Sequence, residues 1–288
     1  MNKSEIEHRF ESKRKIAVVT NGTATTGLEQ SLKNYTEPVT DLFKSKTDLD
    51  FFNIKLDTRN LQEIKNNIVS LQQDYNAVVI AGVKAPGCYQ LLSMVTKELT
   101  IPVIMELTGV AVATGAAIIN VSKLIKKPLD EMRFLCLGCN ELKKAVLQQL
   151  FLLGANPSLM VSCRKGGFDY AAYGSTFAEI VVVFDFKYEH IRLITMELPS
   201  NPVLIILNKN LNAYIPEIVK IRSDAVVIPY LSNQKDGIGA VSACHYLLRT
   251  ALEKEVKRIT PDMHKSASVS LADFVQLDRP LLEKVGRR

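Results

Sequence analysis

The stretch from Phe134 to Ala145 reads FLCLGCNELKKA. An apolar run, a glycine and a segment with helical apolar spacing follow one another, the order in which dinucleotide-binding chains place G-x-G-x-x-G. Only the first glycine, Gly138, is present, with Asn140 at the second position and Lys143 at the third. The second glycine of such a loop lets backbone approach a pyrophosphate, and the third lets helix pack on strand. Asn140 therefore blocks the approach and Lys143 burdens the packing. The loop Gly138, Cys139, Asn140 reads as degenerate, and no cofactor is expected. Its helix start could still attract an anion; the preferred alternative is that Asn140 caps the helix while Lys143 and Lys144 project into solvent.

Cys136 and Cys139 spell C-x-x-C, a spacing that serves redox chemistry or half a zinc site. Cys136 lies inside the apolar run between Leu135 and Leu137, so core packing is expected of it. Cys139 sits where a helix N-terminus lowers a thiol pKa. No histidine is placed by sequence as its base, and a small turn residue is the expected role.

The formal charge of +6, from 36 basic and 30 acidic residues among 288, is too small an imbalance to mark a nucleic-acid partner. The basic clusters lack interleaved aromatics. No apolar run reads as long enough to cross a membrane, and the first fifteen residues are polar, so a cytoplasmic protein with reduced cysteines is expected.

Whatever chemistry these residues perform, short β-branched runs must position them: 16–20, 51–56, 77–81, 101–105, 133–137, 158–163, 179–184, 203–207 and 224–229. Between most of them apolar residues recur at helical spacing, as in Leu61, Ile64, Ile68 and Leu71, or Leu91, Val95 and Leu99. Alternating strands and helices predict an α/β fold of two parallel-sheet domains with helices on both faces, the second Rossmann-like. The small-residue helix 108–125 separates four strands from five.

The order of segments resembles the malic enzymes, which oxidatively decarboxylate malate with NAD or NADP and a divalent metal. IAVVTNGTATTGLE (16–29) is similar to that family's V-A-V-V-S-D-G-T/S-x-x-L-G-L-G, and NIKLDTRNLQEI (53–64) to its P-I-C-L-D-T-x-D-x-D-E-I. KAPGCYQLLSMVTKELTIPVI (84–104) resembles S-A-P-R-C-F-E-I-E-x-x-L-x-E-E-L-D-I-P-V-F, and LSNQKDGIGAVSA (231–243) resembles Y-P-N-Q-I-N-N-V-L-A-F-P-G. The resemblance implies a truncated, degenerate member. Its domains would be 1–107, similar to the family's N-terminal domain, 108–260, similar to its NAD-binding domain, and 261–288, a short helix and loosely held tail.

The departures from the family fall on its chemistry. Ala81 and Gly82 stand where the resemblance places an acidic metal-binding pair, and MEL replaces the following H-D-D, leaving Glu106 at the first aspartate and Leu107 at the second. One carboxylate does not make a magnesium or manganese site, so no metal is expected. The family's lysine falls near Val39 or Thr40, and its tyrosine segment has no counterpart. Cys163 stands near the ribose-binding acid, followed by Arg164 and Lys165, which could contact a phosphate. Lys84, Glu106, Asn233 and Asp236 are the candidates for a cleft between the domains, where a small molecule could bind. The resemblance thus implies a protein without malate chemistry, acting as a binding or partner protein and assembling as a homodimer. The alternatives are a rebuilt cleft with different chemistry, or a residual NAD(P)-dependent oxidoreductase. A pocket with convergent polar groups, or a shifted Lys84 or Glu106, would favour the rebuilt cleft.

Overall fold

The computed structural model describes residues 14–21, 49–163, 168–229 and 240–274. Among them β1 (Arg14–Thr20), β2 (Leu49–Lys55), β3 (Ala77–Ala81) and β4 (Val103–Met105) form one sheet in the order β2-β1-β3-β4. β5 (Phe134–Gly138), β6 (Met160–Cys163), β7 (Ile180–Asp185), β8 (Val203–Ile206) and β9 (Val226–Ile228) form another, in the order β6-β5-β7-β8-β9. Every pairing is parallel. The nine apolar runs coincide with these strands, with ends displaced by two residues at most. All five residues of β3 and of β5 are buried, as parallel strands covered on both faces require.

Among the described residues the α-helices are α1 (Leu61–Ser70), α2 (Gly87–Glu98), α3 (Glu106–Ile125), α4 (Leu142–Leu153), α5 (Phe168–Ser175), α6 (Tyr188–Glu197), α7 (Ile215–Ile221), α8 (Ala240–Glu253) and α9 (Pro261–Phe274). Local signals fix their ends. Asn60 Oδ1 accepts the Gln62 and Glu63 amides at 2.9 and 3.4 Å, which starts α1. Gly154 at φ 104° ends α4 in the left-handed conformation that glycine adopts without steric penalty.

The described residues divide into two compact units, 14–109 with 240–264, and 110–229 with 265–274. The division near 108 lies inside α3, and the assignment of 240–260 to the second domain does not match the packing. Cys244 and Leu248 of α8 pack with Ile16, Val79 and Ile104 of the first sheet. In the second unit Leu135, Val181, Val183 and Leu204 from the strands meet Ala171, Ile191 and Ile218 from the helices. There α3, α4 and α9 approach closely: Ser268 Oγ donates to the Val112 carbonyl at 2.8 Å and accepts from Gln149 Nε2 at 2.9 Å. A Cβ at Gly115 would stand 2.8 Å from Leu153 and 2.7 Å from the Ser268 hydroxyl, so the small-residue face of α3 is used inside this unit.

Two further expectations need correction. Helix α3 is long and apolar enough to cross a membrane by length and composition, although more than half of it is buried inside the fold. The short C-terminal helix is a 14-residue one, Pro261–Phe274, and 275–288 lie outside the described residues.

Candidate functional site

In an open parallel sheet ligands bind beyond the carboxyl ends of the strands where the strand order reverses. That point lies between β1 and β3 in the first sheet and between β5 and β7 in the second.

Beyond β3 the chain turns through Gly82 at φ 61°, a left-handed conformation that glycine adopts readily, and then through buried Val83 to exposed Lys84. Glu106 opens α3 directly after β4 and is 5% exposed. Burial pushes its carboxyl up to about 7 from the ordinary 4.5, and the hydrogen bond donated by the Gly82 amide pulls it back only in part. Among the described residues its Oε1 has no hydrogen-bond partner. Cys244 of α8 lies within electrostatic reach, its thiol pushed up by burial first and by Glu106 second. The structure thus gathers Glu106, the Gly82 amide and Cys244. Lys84, named with Glu106 as a cleft candidate, does not figure among the groups that set the protonation of Glu106. A carboxyl that titrates near neutrality can pass a proton in either direction.

Cys244 was not singled out from the sequence as a site residue. The apolar spacing it shares with Leu248 is the signal that buries it, and no spacing rule pairs it with Glu106.

At the second sheet the turn after β5 closes on itself. Gly138, at φ 81°, sits against the end of β7: a Cβ there would be 1.8 Å from the Asp185 carbonyl oxygen. Asn140 Nδ2 donates to the Phe184 carbonyl at 2.9 Å, while its Oδ1 accepts the Leu142 amide at 3.0 Å. Asn140 thus bonds the first amide of α4, while the N-cap position expected of it falls to Glu141. Lys144 is exposed, but Lys143 is half-buried and does not project into solvent: its Nζ folds back to donate to the Gly138 carbonyl at 2.8 Å. The Leu142 amide, a donor that an open helix start would offer to a bound phosphate, is taken by Asn140, and the Asn140 and Lys143 side-chain donors are spent on the protein's own carbonyls.

Cys136 is buried and its thiol is pushed up to about 12, by burial above all, so it stays protonated. Cys139 is exposed at the turn. Buried Ala81, Gly82 and Leu107 occupy the positions of the resemblance's metal ligands. Among the described residues no three histidine, cysteine or acidic side chains gather as a metal site would need. Arg164, Lys165, Asn233, Asp236 and the stretch around Val39 and Thr40 lie outside the described residues.

No protein-family model matches the chain. It is 23% identical to the probable NADP-dependent malic enzyme of Rickettsia prowazekii over 298 residues, covering 94% of this chain and 39% of that protein. It is 23% identical to the NADP-dependent malic enzyme of Haemophilus influenzae over 288 residues, covering 90% and 38%. The chain thus spans about two-fifths of the length of these relatives. The crystal structure of an NAD-dependent malic enzyme from Thermotoga maritima superposes with a TM-score of 0.74 at 20% identity, covering 98% of this chain and 86% of that one. Along nine-tenths of its length the chain is thus similar in sequence to malic enzymes, and its two parallel sheets share the fold of a solved one.

Proposed function

We propose that this chain is a pseudoenzyme of malic-enzyme ancestry, a cytoplasmic binding or partner protein that has lost the metal, acid–base and dinucleotide sites and does not oxidise malate. The observation that carries the reading is the turn after β5. Asn140 and Lys143 stand where a dinucleotide loop has glycines, and their side chains bond the Phe184 and Gly138 carbonyls. A pyrophosphate would have to displace both bonds and lie beside an asparagine side chain, where a loop glycine leaves room for backbone approach. Buried Ala81 and Leu107 add support, because without oxygen ligands nothing polarises a substrate hydroxyl through a metal.

Two measurements test this. Titration calorimetry with NAD and NADP is expected to show no saturable site. Malate with either nucleotide and magnesium or manganese is expected to turn over no faster than without protein. Chelator-sensitive turnover, or a nucleotide site abolished by Arg164→Ala, overturns the reading.

A second reading is favoured by Glu106. A buried carboxyl held near neutrality, with one oxygen unbonded among the described residues, suits general acid or base work, and it supports a rebuilt cleft with different chemistry. Turnover of a carbonyl or hydroxy-acid substrate that Glu106→Gln abolishes would decide for it.

The reading includes a homodimer. The small-residue face of α3 no longer argues for it, since α4 and α9 already cover Gly115. Support comes from Phe151 on α4 and Val269 on α9, each 43% exposed, large apolar groups that association would remove from water. Light scattering at micromolar concentration is expected to give twice the 32.1 kDa of one chain, and the mass of a single chain refutes it.

A further inference from the structure

We propose that the first unit carries a binding site for a small organic anion, one negatively charged group on a compact apolar body, in a cavity walled by α2, β4 and the segment 257–264. The cavity has a volume of about 330 Å³. It shares no residue with the turn after β5 and does not include Glu106, so the inference stands whichever reading of the malate chemistry holds.

The chemistry of the walls selects the ligand. Leu92, Val103, Ile104 and Ile259 supply apolar surface. Lys97, Lys257 and Arg258 supply three cations, all exposed, and among the described residues none of the three is paired with a carboxylate. No acidic side chain is among the described residues that line the cavity. Thr108 and the half-buried His264 add groups able to hydrogen-bond an oxyanion.

Like charges brought to one opening repel each other, and an anion that bridges them relieves that repulsion while its apolar part leaves water. Small-molecule sites have this composition, a mostly apolar lining with a few convergent polar groups. A neutral apolar compound would use only the floor, and a bare oxyanion only the rim.

Calorimetric titration of the full chain with phenyl phosphate tests this, with inorganic phosphate and benzyl alcohol as the two half-ligands. Phenyl phosphate is expected to bind one to one and saturably, and more tightly than either half. The double substitution Lys257→Glu and Arg258→Glu is expected to weaken it by about tenfold or more, the effect of removing charge-assisted bonds. Ser93→Trp keeps every charge but puts an indole in the cavity lining, and is expected to weaken binding as much. That variant carries the test if the charge reversal fails to fold. Lys254→Glu, an exposed charge change outside the lining, is expected to leave affinity within about twofold, because salt screens a solvent-exposed charge that does not touch the ligand. Absence of saturable phenyl phosphate binding overturns the site. So does equal affinity for inorganic phosphate, or a loss from Lys254→Glu as large as that from the double reversal.

Discussion

Glu106→Gln is expected to stabilise the protein by about 3 kcal/mol at pH 8 and to leave its stability unchanged at pH 4. The carboxyl is buried and titrates at about 7 in the folded protein, against an ordinary 4.5. Because the folded value is the higher one, the folded state holds the proton more tightly, and stability falls as pH rises between the two values. Below 4.5 both states are protonated and nothing is lost. Above about 7 both are ionised, the loss is complete, and it amounts to about 1.4 kcal/mol for each pH unit separating the two values. Glutamine keeps an oxygen to accept the Gly82 amide, carries no charge, and never incurs the loss.

Denaturant midpoints of wild type and variant across pH 4 to 8 check this as a difference, which cancels groups titrating in the opposite sense. Asp224, held below the usual carboxylate range by Arg222, is one of those. Parallel curves for the two proteins would mean that Glu106 is ionised and partnered in solution, and the proposal of a proton-bearing site at β3 and β4 would fail with it.

How much of this was legible in the sequence depended on whether local pattern or tertiary packing decided the outcome. Runs such as Ala77–Ala81 and Phe134–Gly138 can bury both faces only in a covered parallel sheet, so strand positions and fold class followed from pattern alone. The stripes Ile64 with Ile68, and Leu91 with Val95, are buried where helical spacing put them. Helix α8 was misassigned because chain order places it after β9, while its destination is set by which sheet offers a complementary surface for Cys244 and Leu248.

The candidate site was legible by its residue types and less so by their contacts. Asn140 bonds the start of α4 as its side-chain chemistry predicts, one residue ahead of the N-cap, since that bond spans only two residues. Lys143 does not follow its position on the helix, because four flexible methylenes let the ammonium return to the Gly138 carbonyl. Glu106 was noticed as a surviving carboxylate, but its burial depends on β3, α3 and α8 together, which no local pattern encodes.

The same turn supplies the largest expected destabilisation. Gly138→Ala is expected to cost about 4 kcal/mol or more, whereas Gly154→Ala, also at positive φ, is expected to cost about 1 kcal/mol. The two glycines share a backbone conformation that disfavours an L side chain, with φ of 81° and 104°. They differ in surroundings: nothing lies within 4 Å of a Cβ at Gly154, while at Gly138 the Cβ would stand 1.8 Å from the Asp185 carbonyl oxygen and 2.4 Å from its carbon. That neighbour is backbone of a buried strand and cannot rotate away. The turn itself would have to lift, and lifting it strains or breaks the Asn140 bond to Phe184. In a working dinucleotide loop the glycines make room for a ligand. Here Gly138 makes room for the protein's own chain. The contrast between the two variants, read as shifts in denaturant midpoint, separates the steric term from the cost of positive φ that both share. Equal shifts would show that the turn yields easily, and a turn that yields could also open for a nucleotide, reviving the residual oxidoreductase that the closed geometry argues against.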